Sequence, residues 1–193
     1  MTSHKPIKLP LSMAEVDRAA HLRLDESYLK TAWQNAKVLQ FQDEKFLSAD
    51  NQLQIVEGQE LGEFQSQSDY FLGVEYVQSS GPNTSEDKEI FAHYFVRNYS
   101  SEVQTGKDLP VENLRTLREI GAFLSPRDIG LSVHAQGLAN WHKKHPRCSQ
   151  CGAATTVISG GSVRKCLIDE SEHYPRTDSE IIVTGKQIGR AHV

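Results

Sequence analysis

The sequence predicts an α+β fold. Three observations predict it: short apolar runs between polar turns in the first half, one capped helical pattern that begins at Ser125, and three cysteines clustered near the end. The first pattern is typical of strands and the second of an amphipathic helix. We expect six segments: a flexible start at 1–15, a small mixed α/β domain at 16–124, a linking helix at 125–145, a β-hairpin ribbon at 146–178, the first strand of a further domain at 179–187, and a tail at 188–193.

Composition limits the classes of protein that the chain can represent. It has 193 residues, of which 38% are hydrophobic and 24% charged, and its formal net charge is -4. This balance does not suit a strongly basic surface for nucleic acid or anionic lipid. No apolar run is long enough to span a bilayer, and the start lacks the apolar core of a signal peptide. We therefore expect a cytoplasmic protein with no membrane partner.

The first domain is predicted from its β-type runs. Two of them, 70–76 and 90–96, are expected to form a hairpin around the polar loop 79–83. A short helix is expected at 25–35, with an acidic first turn. The complete set of predicted strands in this domain is 38–41, 53–56, 70–76 and 90–96.

The linking helix has a clear predicted start. Ser125 can accept hydrogen bonds from exposed backbone donors, Pro126 suits the first helical position, and Asp128 opposes the positive end of the helix. An apolar stripe then recurs at helical spacing and should pack on the first domain. The stripe consists of Leu131, Ala135, Leu138 and Ala139.

The end of this helix is rich in aromatic and basic residues. Trp141 is interpreted as a core residue, because tryptophan is usually buried. His142 and His145 lie beside several cationic side chains. We interpret both as a solvated basic helix end, stabilised by the negative pole of the helix.

The three cysteines have the spacing of a zinc ribbon. Cys148 and Cys151 form a C-x-x-C pair on one turn, and Cys166 would arrive after a hairpin whose turn is the glycine pair at 160–161. The spacing predicts a fourth ligand at Asp169, where a carboxylate replaces the more usual thiolate. His173 is an alternative fourth ligand. Clustered cysteines in odd number favour a metal over disulfides.

These motifs together resemble one known family. Four stretches near the end resemble the NADH pyrophosphatase (NAD diphosphatase) family of Nudix hydrolases. They are the segment from Trp141 through the C-x-x-C pair, the glycine pair, the run His173-Tyr174-Pro175-Arg176-Thr177-Asp178, and the apolar 181–183. Residues 17–23 resemble the opening of that family. The resemblance implies an amino-terminal domain, a ribbon with structural zinc, and a homodimer. It also implies hydrolysis of NADH or NAD to NMN(H) and AMP, and it leaves open whether NAD-capped RNA is a further substrate.

The family's catalytic signature, the Nudix box, does not occur in the sequence. The nearest candidate combines Gly106, Glu112 and Arg118, but its spacing is wrong. The resemblance therefore implies that the catalytic domain, with its magnesium or manganese, is missing and that this chain is an inactive amino-terminal fragment. The run at 181–183 would be the first strand of that domain. The tail at 188–193 matches one reading frame of a common sequencing adapter, so we exclude it from fold reasoning.

Two residues match substrate contacts of the family. Tyr174 matches a tyrosine that contacts substrate, although it could also be a packing aromatic at a domain joint. Arg118 matches a substrate-contacting arginine, although it could also be a surface charge. The alternative to an enzyme is a non-catalytic zinc-ribbon module that binds a partner or mediates dimerisation.

Overall fold

The computed structural model describes residues 15–77, 89–99 and 109–175. These residues form a large mixed sheet with helices on both faces, and a small ribbon sheet at the carboxyl-terminal end. The α+β class predicted from the sequence is confirmed. The helices are α1 (Glu26–Trp33), α2 (Leu117–Ile120) and α3 (Pro126–Lys144).

The large sheet has the central strand order β3-β2-β1-β6-β5, while β4 pairs with β1 and β7 pairs with β2. Only β1 and β6 pair in parallel; every other described pair is antiparallel. Its strands are β1 (Lys37–Gln42), β2 (Lys45–Ala49), β3 (Gln52–Leu53), β4 (Ile55–Glu57), β5 (Asp69–Tyr76), β6 (Ile90–Asn98) and β7 (Leu114–Thr116). The ribbon sheet is antiparallel and contains β8 (Thr155–Ile158), β9 (Val163–Cys166) and β10 (Glu172–His173).

Most predicted strands of the first domain are confirmed. β1, β5 and β6 lie where the apolar runs indicated them, and Asp25 caps α1 by accepting from the backbone N–H groups of Ser27 and Tyr28. The run 53–56 is divided between β3 and β4, and the sequence analysis missed β2 and β7. The predicted loop 79–83, strand 181–183 and tail 188–193 lie outside the described residues.

Alternation along the central strands sends side chains to two cores. One face of the sheet packs against α3 and the other against α1, as expected for strands whose successive side chains point to opposite sides. Both faces are therefore covered. The α3 face includes Leu39, Phe41, Tyr70, Leu72, Tyr94 and Val96, and the α1 face includes Val38, Phe71, Val74 and Phe95.

Helix α3 begins and packs as the sequence predicted. The Ser125 hydroxyl accepts from the backbone N–H of Asp128 at 3.1 Å, and Pro126 occupies the first turn. The whole predicted stripe is buried in the core between α3 and the sheet. Trp141 is also buried, as predicted. Within the described residues, no helix is both long and apolar enough to cross a membrane.

The prediction that His142 is solvated is wrong. Its side chain is only 5% exposed, its ring lies 4.4 Å from the Tyr70 ring, and its Nε2 is 2.8 Å from the carbonyl oxygen of Gly161. The ribbon turn folds back over the end of α3 and covers this histidine. His145, three residues further on, is exposed as predicted.

The ribbon is attached to the large sheet by direct contacts. The Gln67 side chain donates to the carbonyl of Val157 at 3.1 Å and accepts from its N–H at 3.0 Å. Val157 itself belongs to the core beneath α3. Gly161 lies so close to Tyr70 that an added Cβ would come within 2.7 Å of the tyrosine side chain. The base of the ribbon is thus held by the rest of the protein.

Candidate metal centre

The ribbon presents two turns of the same design. Cys148 and Cys151 are three positions apart, as are Cys166 and Asp169. Both pairs lie at the open end of the β8–β9 hairpin, where β8 begins and β9 ends. The ligand-x-x-ligand turn therefore occurs twice in the sequence. Only the last ligand differs in chemistry, because the second turn ends in a carboxylate.

Backbone geometry confirms that the two turns are equivalent. The N–H of Cys148 donates to the carbonyl of Ala153 at 2.8 Å, and the N–H of Cys166 donates to that of Ser171 at 2.9 Å, so both bonds span five residues. The residue after each second ligand has a positive φ, 74° at Gly152 and 57° at Glu170. Each turn therefore points its two ligand side chains in one direction.

The four candidate ligand groups converge. One ligand atom from each of Cys148, Cys151, Cys166 and Asp169 lies within 4.8 Å of all the others. The Sγ atoms of Cys151 and Cys166 are 3.5 Å apart, and Cys148 Sγ is 3.4 Å from an Asp169 carboxylate oxygen. Tetrahedral zinc with ordinary bond lengths requires edges of about 3.8 Å between sulfurs and about 3.5 Å between sulfur and oxygen. The observed separations fit that ion.

Backbone amides support the sulfur atoms. The N–H of Gln150 donates to Cys148 Sγ at 3.3 Å, and the N–H of Ile168 donates to Cys166 Sγ at 3.4 Å. Hydrogen bonds to the charged form of a group favour that form. At Cys148 this contact therefore favours the thiolate that a metal ion needs.

Asp169 and Cys148 share a hydrogen-bond partner in Ser171. The hydrogen bond with the Ser171 hydroxyl is the largest influence that lowers the pKa of Cys148 to about 6, and the same hydroxyl lowers the pKa of Asp169. The backbone contact with Ala153 acts to lower the pKa of Cys151, but its neighbours Asp169 and Cys166 contribute to raising it to about 12. A metal ion that binds at neutral pH must therefore displace the proton of Cys151.

His173, the alternative fourth ligand, lies beside this group rather than in it. Its Nε2 is 3.2 Å from the Ser171 hydroxyl, and its Nδ1 is 3.5 Å from the Ser149 hydroxyl. Asp169, by contrast, is one of the four converging groups. The geometry thus supports Asp169 as the fourth ligand and gives His173 the position of an outer partner that orients Ser171.

The two predicted substrate contacts are in different places. Tyr174 follows β10, is 59% exposed, and donates its hydroxyl to the Glu172 carboxylate. It lines a cleft of about 920 Å³ between the ribbon and α3. Arg118 is exposed on α2 and is not among the residues that line this cleft. The described chain does not bring the two residues together in that cleft.

A polar network beneath the ribbon was missed by the sequence analysis. Arg164 donates to the Thr155 hydroxyl at 2.7 Å and to the Thr155 carbonyl at 3.0 Å, and its Nη1 lies 3.0 Å from Nδ1 of His142. Burial lowers the pKa of His142 to about 4, so the ring is neutral and accepts from the guanidinium. One signal in the sequence could have revealed the burial of His142, because this residue lies four positions after Leu138 and continues the apolar stripe.

A short antiparallel sheet that carries two such turns defines the class of zinc-ribbon proteins. Within that class, residues 143–174 match the NADH pyrophosphatase zinc ribbon domain. The chain is also 29% identical over 68 residues to the human (Homo sapiens) NAD-capped RNA hydrolase NUDT12, a match that covers 31% of this chain and 15% of that protein. The resemblance to the NADH pyrophosphatase family is confirmed, and the match spans a small part of that relative's length.

Proposed function

We propose that this protein is an NAD(H) diphosphatase that hydrolyses the dinucleotide pyrophosphate to NMN(H) and AMP. The observation that carries the proposal is the ribbon, whose residues 143–174 match the NADH pyrophosphatase ribbon and whose four ligand groups converge. The human relative acts on NAD-capped RNA, according to its name. NADH, NAD and NAD-capped RNA are therefore the proposed substrates.

In the proposed activity, the described residues have a structural role. Cys148, Cys151, Cys166 and Asp169 would hold zinc in a closed four-coordinate site, which leaves no open position for a substrate and so makes the ion structural. Bound zinc would fix the two turns relative to each other. The strand β10 and Tyr174 directly follow the second turn, so a fixed turn also fixes where Tyr174 lies.

The chemical step is proposed for a Nudix domain whose signature the sequence does not contain. Magnesium or manganese held by glutamates would supply charge neutralisation of the pyrophosphate and activation of water there. Tyr174 is proposed to contact the dinucleotide, and Arg118 to contact substrate from its exposed position on α2. A cytoplasmic homodimer is proposed as the state of the whole protein.

The test is an activity assay on two proteins. The 193-residue chain and the product of the complete gene are each incubated with NADH and Mg²⁺, and AMP and NMNH are measured by chromatography. We expect hydrolysis by the complete product and none by the 193-residue chain. A complete gene product that binds zinc but releases no AMP from NADH, NAD or NAD-capped RNA contradicts the diphosphatase and favours a zinc-ribbon binding or dimerisation module.

A further inference from the structure

We propose that a polar cavity at one edge of the large sheet binds a small zwitterion of the amino-acid class. The cavity has a volume of about 470 Å³, which lies in the range of sites for small molecules. Its lining comes from the ends of β1 and β6, the last turns of α3, and the ribbon hairpin. Neither Tyr174 nor any of the four metal-ligand candidates lines it. The site is therefore distinct from the metal centre and from the proposed dinucleotide contact.

The carboxyl ends of two parallel strands form one side of the cavity. The parallel register of β1 and β6 ends with Phe41 opposite Asn98, and both residues line the cavity. In open α/β sheets, ligands bind in the crevice outside the carboxyl ends of the strands, and this cavity has that position. Asp43 and Glu44 follow β1, are exposed, and also line the cavity. This side is therefore rich in hydrogen-bond acceptors.

One of these acceptors is buried and lacks a partner. Asn98 is 4% exposed, and its Oδ1 accepts no hydrogen bond from the part of the chain that the structure describes. A buried acceptor without a partner costs free energy, which a donor on a ligand would remove. Asp43 and Glu44 take part in none of the ion pairs among the described residues. An ammonium group has a positive charge and three donors, so it suits these three acceptors.

The cations of the cavity come from other elements. Lys143 lies in the last turn of α3, and Arg164 lies in β9. The hydroxyl and the carbonyl of Thr155 hold the Arg164 guanidinium in place, at 2.7 and 3.0 Å. Lys143 is exposed and takes part in none of the ion pairs among the described residues. A carboxylate is the ligand group that such a pair of cations favours.

The balance of charge favours a zwitterion over other ligands. The two carboxylates and two cations of the lining cancel, and the buried His142 is neutral, so the cavity has no net formal charge. A polyphosphate would be repelled by the two carboxylates, whereas one ammonium and one carboxylate on the same ligand match both sides. Apolar side chains complete the wall, namely Phe41, Ala139 and Val157. The cavity therefore suits an amino acid with an apolar side chain, such as leucine.

Calorimetric titration of the 193-residue chain with leucine and two analogues tests the need for both charges. N-acetylleucine keeps the carboxylate but has no ammonium, and leucinamide keeps the ammonium but has no carboxylate. Loss of one charge-assisted contact weakens binding by about tenfold, and we expect that loss for each analogue. The dipeptide Leu-Leu carries the same two charges further apart. Tighter binding of the dipeptide than of leucine assigns the cavity to a short peptide, and weaker binding assigns it to a free amino acid.

Matched variants test which side chains hold each charge. Lys143→Gln should weaken leucine binding by about tenfold and leave leucinamide binding unchanged, because leucinamide has no carboxylate to lose a contact. Lys144→Gln is its control, since Lys144 is the next residue, is exposed, and does not line the cavity. Asp43→Asn should weaken the binding of leucine but not of N-acetylleucine. Its control is Asp50→Asn, at another exposed turn residue with positive φ.

Three outcomes overturn the proposal. They are no binding of leucine or of Leu-Leu by the parent chain, equal affinity for leucine in Lys143→Gln and Lys144→Gln, and binding of both analogues as tightly as leucine. Circular dichroism and zinc content of each variant are compared with the parent chain, so that a folding defect is separated from a lost contact. NADH hydrolysis by the complete gene product should be unchanged in Lys143→Gln, so the cavity and the diphosphatase are tested separately.

Discussion

Asp169 occupies in the second ribbon turn the position that Cys151 occupies in the first. Zinc binds carboxylate oxygen less commonly than thiolate in structural sites, and the carboxylate brings a harder ligand with a shorter bond. The backbone around Asp169 nevertheless has the conformation of its cysteine counterpart, with the same five-residue hydrogen bond and the same positive φ. The geometry of the four groups therefore suits zinc, but this ligand set should bind it less tightly than four thiolates would.

The carboxylate at position 169 predicts a graded series of zinc affinities among variants. Asp169→Ala should weaken binding by roughly 100-fold, since loss of a direct ligand exceeds the effect of losing an outer partner. Asp169→Cys should bind more tightly than the parent chain, because thiolate is the preferred ligand. Affinity is measured by competition with a chromophoric chelator, together with metal content.

The matched control for this series is His173→Ala. His173 contacts Ser171 and Ser149 and is not one of the four converging groups, so its loss should weaken binding by only about tenfold. Equal zinc affinity in Asp169→Ala and the parent chain would exclude Asp169 as the fourth ligand. A larger loss in His173→Ala than in Asp169→Ala would assign that position to His173.

Gly161 allows a second prediction about a single residue. Its φ is 88° and an added Cβ would lie 2.7 Å from both Cβ and Cδ1 of Tyr70. Gly161→Ala should therefore reduce the free energy of unfolding by roughly 2–4 kcal/mol, from strain and a forced shift of the tyrosine. Urea denaturation measures the change.

Gly62 is the matched control, because its φ is 83° but no atom lies within 4 Å of its added Cβ. Its ψ is -151°, in a backbone region that almost only glycine adopts, so Gly62→Ala should lose about 1–3 kcal/mol from backbone strain alone and less than Gly161→Ala. If the two variants lose the same free energy, the close contact with Tyr70 does not hold the ribbon against the sheet.

At the scale of elements, the sequence predicts those whose signals are local. Helix α3 was predicted from its cap and stripe, and the β8–β9 hairpin from a glycine pair between two cysteine turns. β2 was missed because it follows β1 after only two turn residues, Asp43 and Glu44, in place of a glycine-rich turn. The burial of His142 was missed because its basic neighbours were given more weight than its place in the apolar stripe, and its partner Gly161 comes from the distant ribbon turn.

The buried histidine predicts how stability depends on pH. Burial lowers the pKa of His142 to about 4, whereas histidine in an unfolded chain titrates near 6.5. The unfolded chain therefore takes up the proton first, and stability present above about pH 6.5 is lost as pH falls towards 4, by roughly 3 kcal/mol for one such group. Burial lowers the pKa of His134 to about 4 as well, in the same direction.

Urea unfolding between pH 7 and pH 4, with a chelator present, tests this dependence. His142→Gln should reduce the pH dependence by about one proton equivalent relative to the parent chain. His21→Gln, a change at an exposed histidine, should keep the parent dependence. An unchanged pH dependence in His142→Gln would show that this ring does not titrate differently in the two states.

At the scale of the whole molecule, the central sheet joins parts that are distant in sequence. β1 and β6 pair in parallel, with Lys37 opposite Tyr94 and Phe41 opposite Asn98. This pairing has no local sequence signal, and the sequence analysis did not predict it. The four metal-ligand candidates, by contrast, were all identified from spacing, because a ribbon turn is set by its own few residues.

The attachment of the ribbon base predicts that metal removal has a local effect. Gln67 holds both backbone groups of Val157, and this contact does not involve the metal cluster. After chelation, amide hydrogen exchange should accelerate at Cys148 and Cys166, whose N–H groups close the two turns, while Val157 stays protected. Val157 exchanging as fast as Cys166 after chelation would instead mean that the ion holds the whole ribbon.

The hydrogen bonds from Gln67 and His142 to the ribbon also bear on the order of events during biosynthesis. Both fasten the hairpin through groups that the polypeptide itself provides. A newly made copy can therefore fold its sheet and attach the base of the ribbon before it acquires an ion, and the two turns become fixed when zinc binds. Zinc supply in the cell would then set how many copies are loaded, and leave the number of folded copies nearly unchanged.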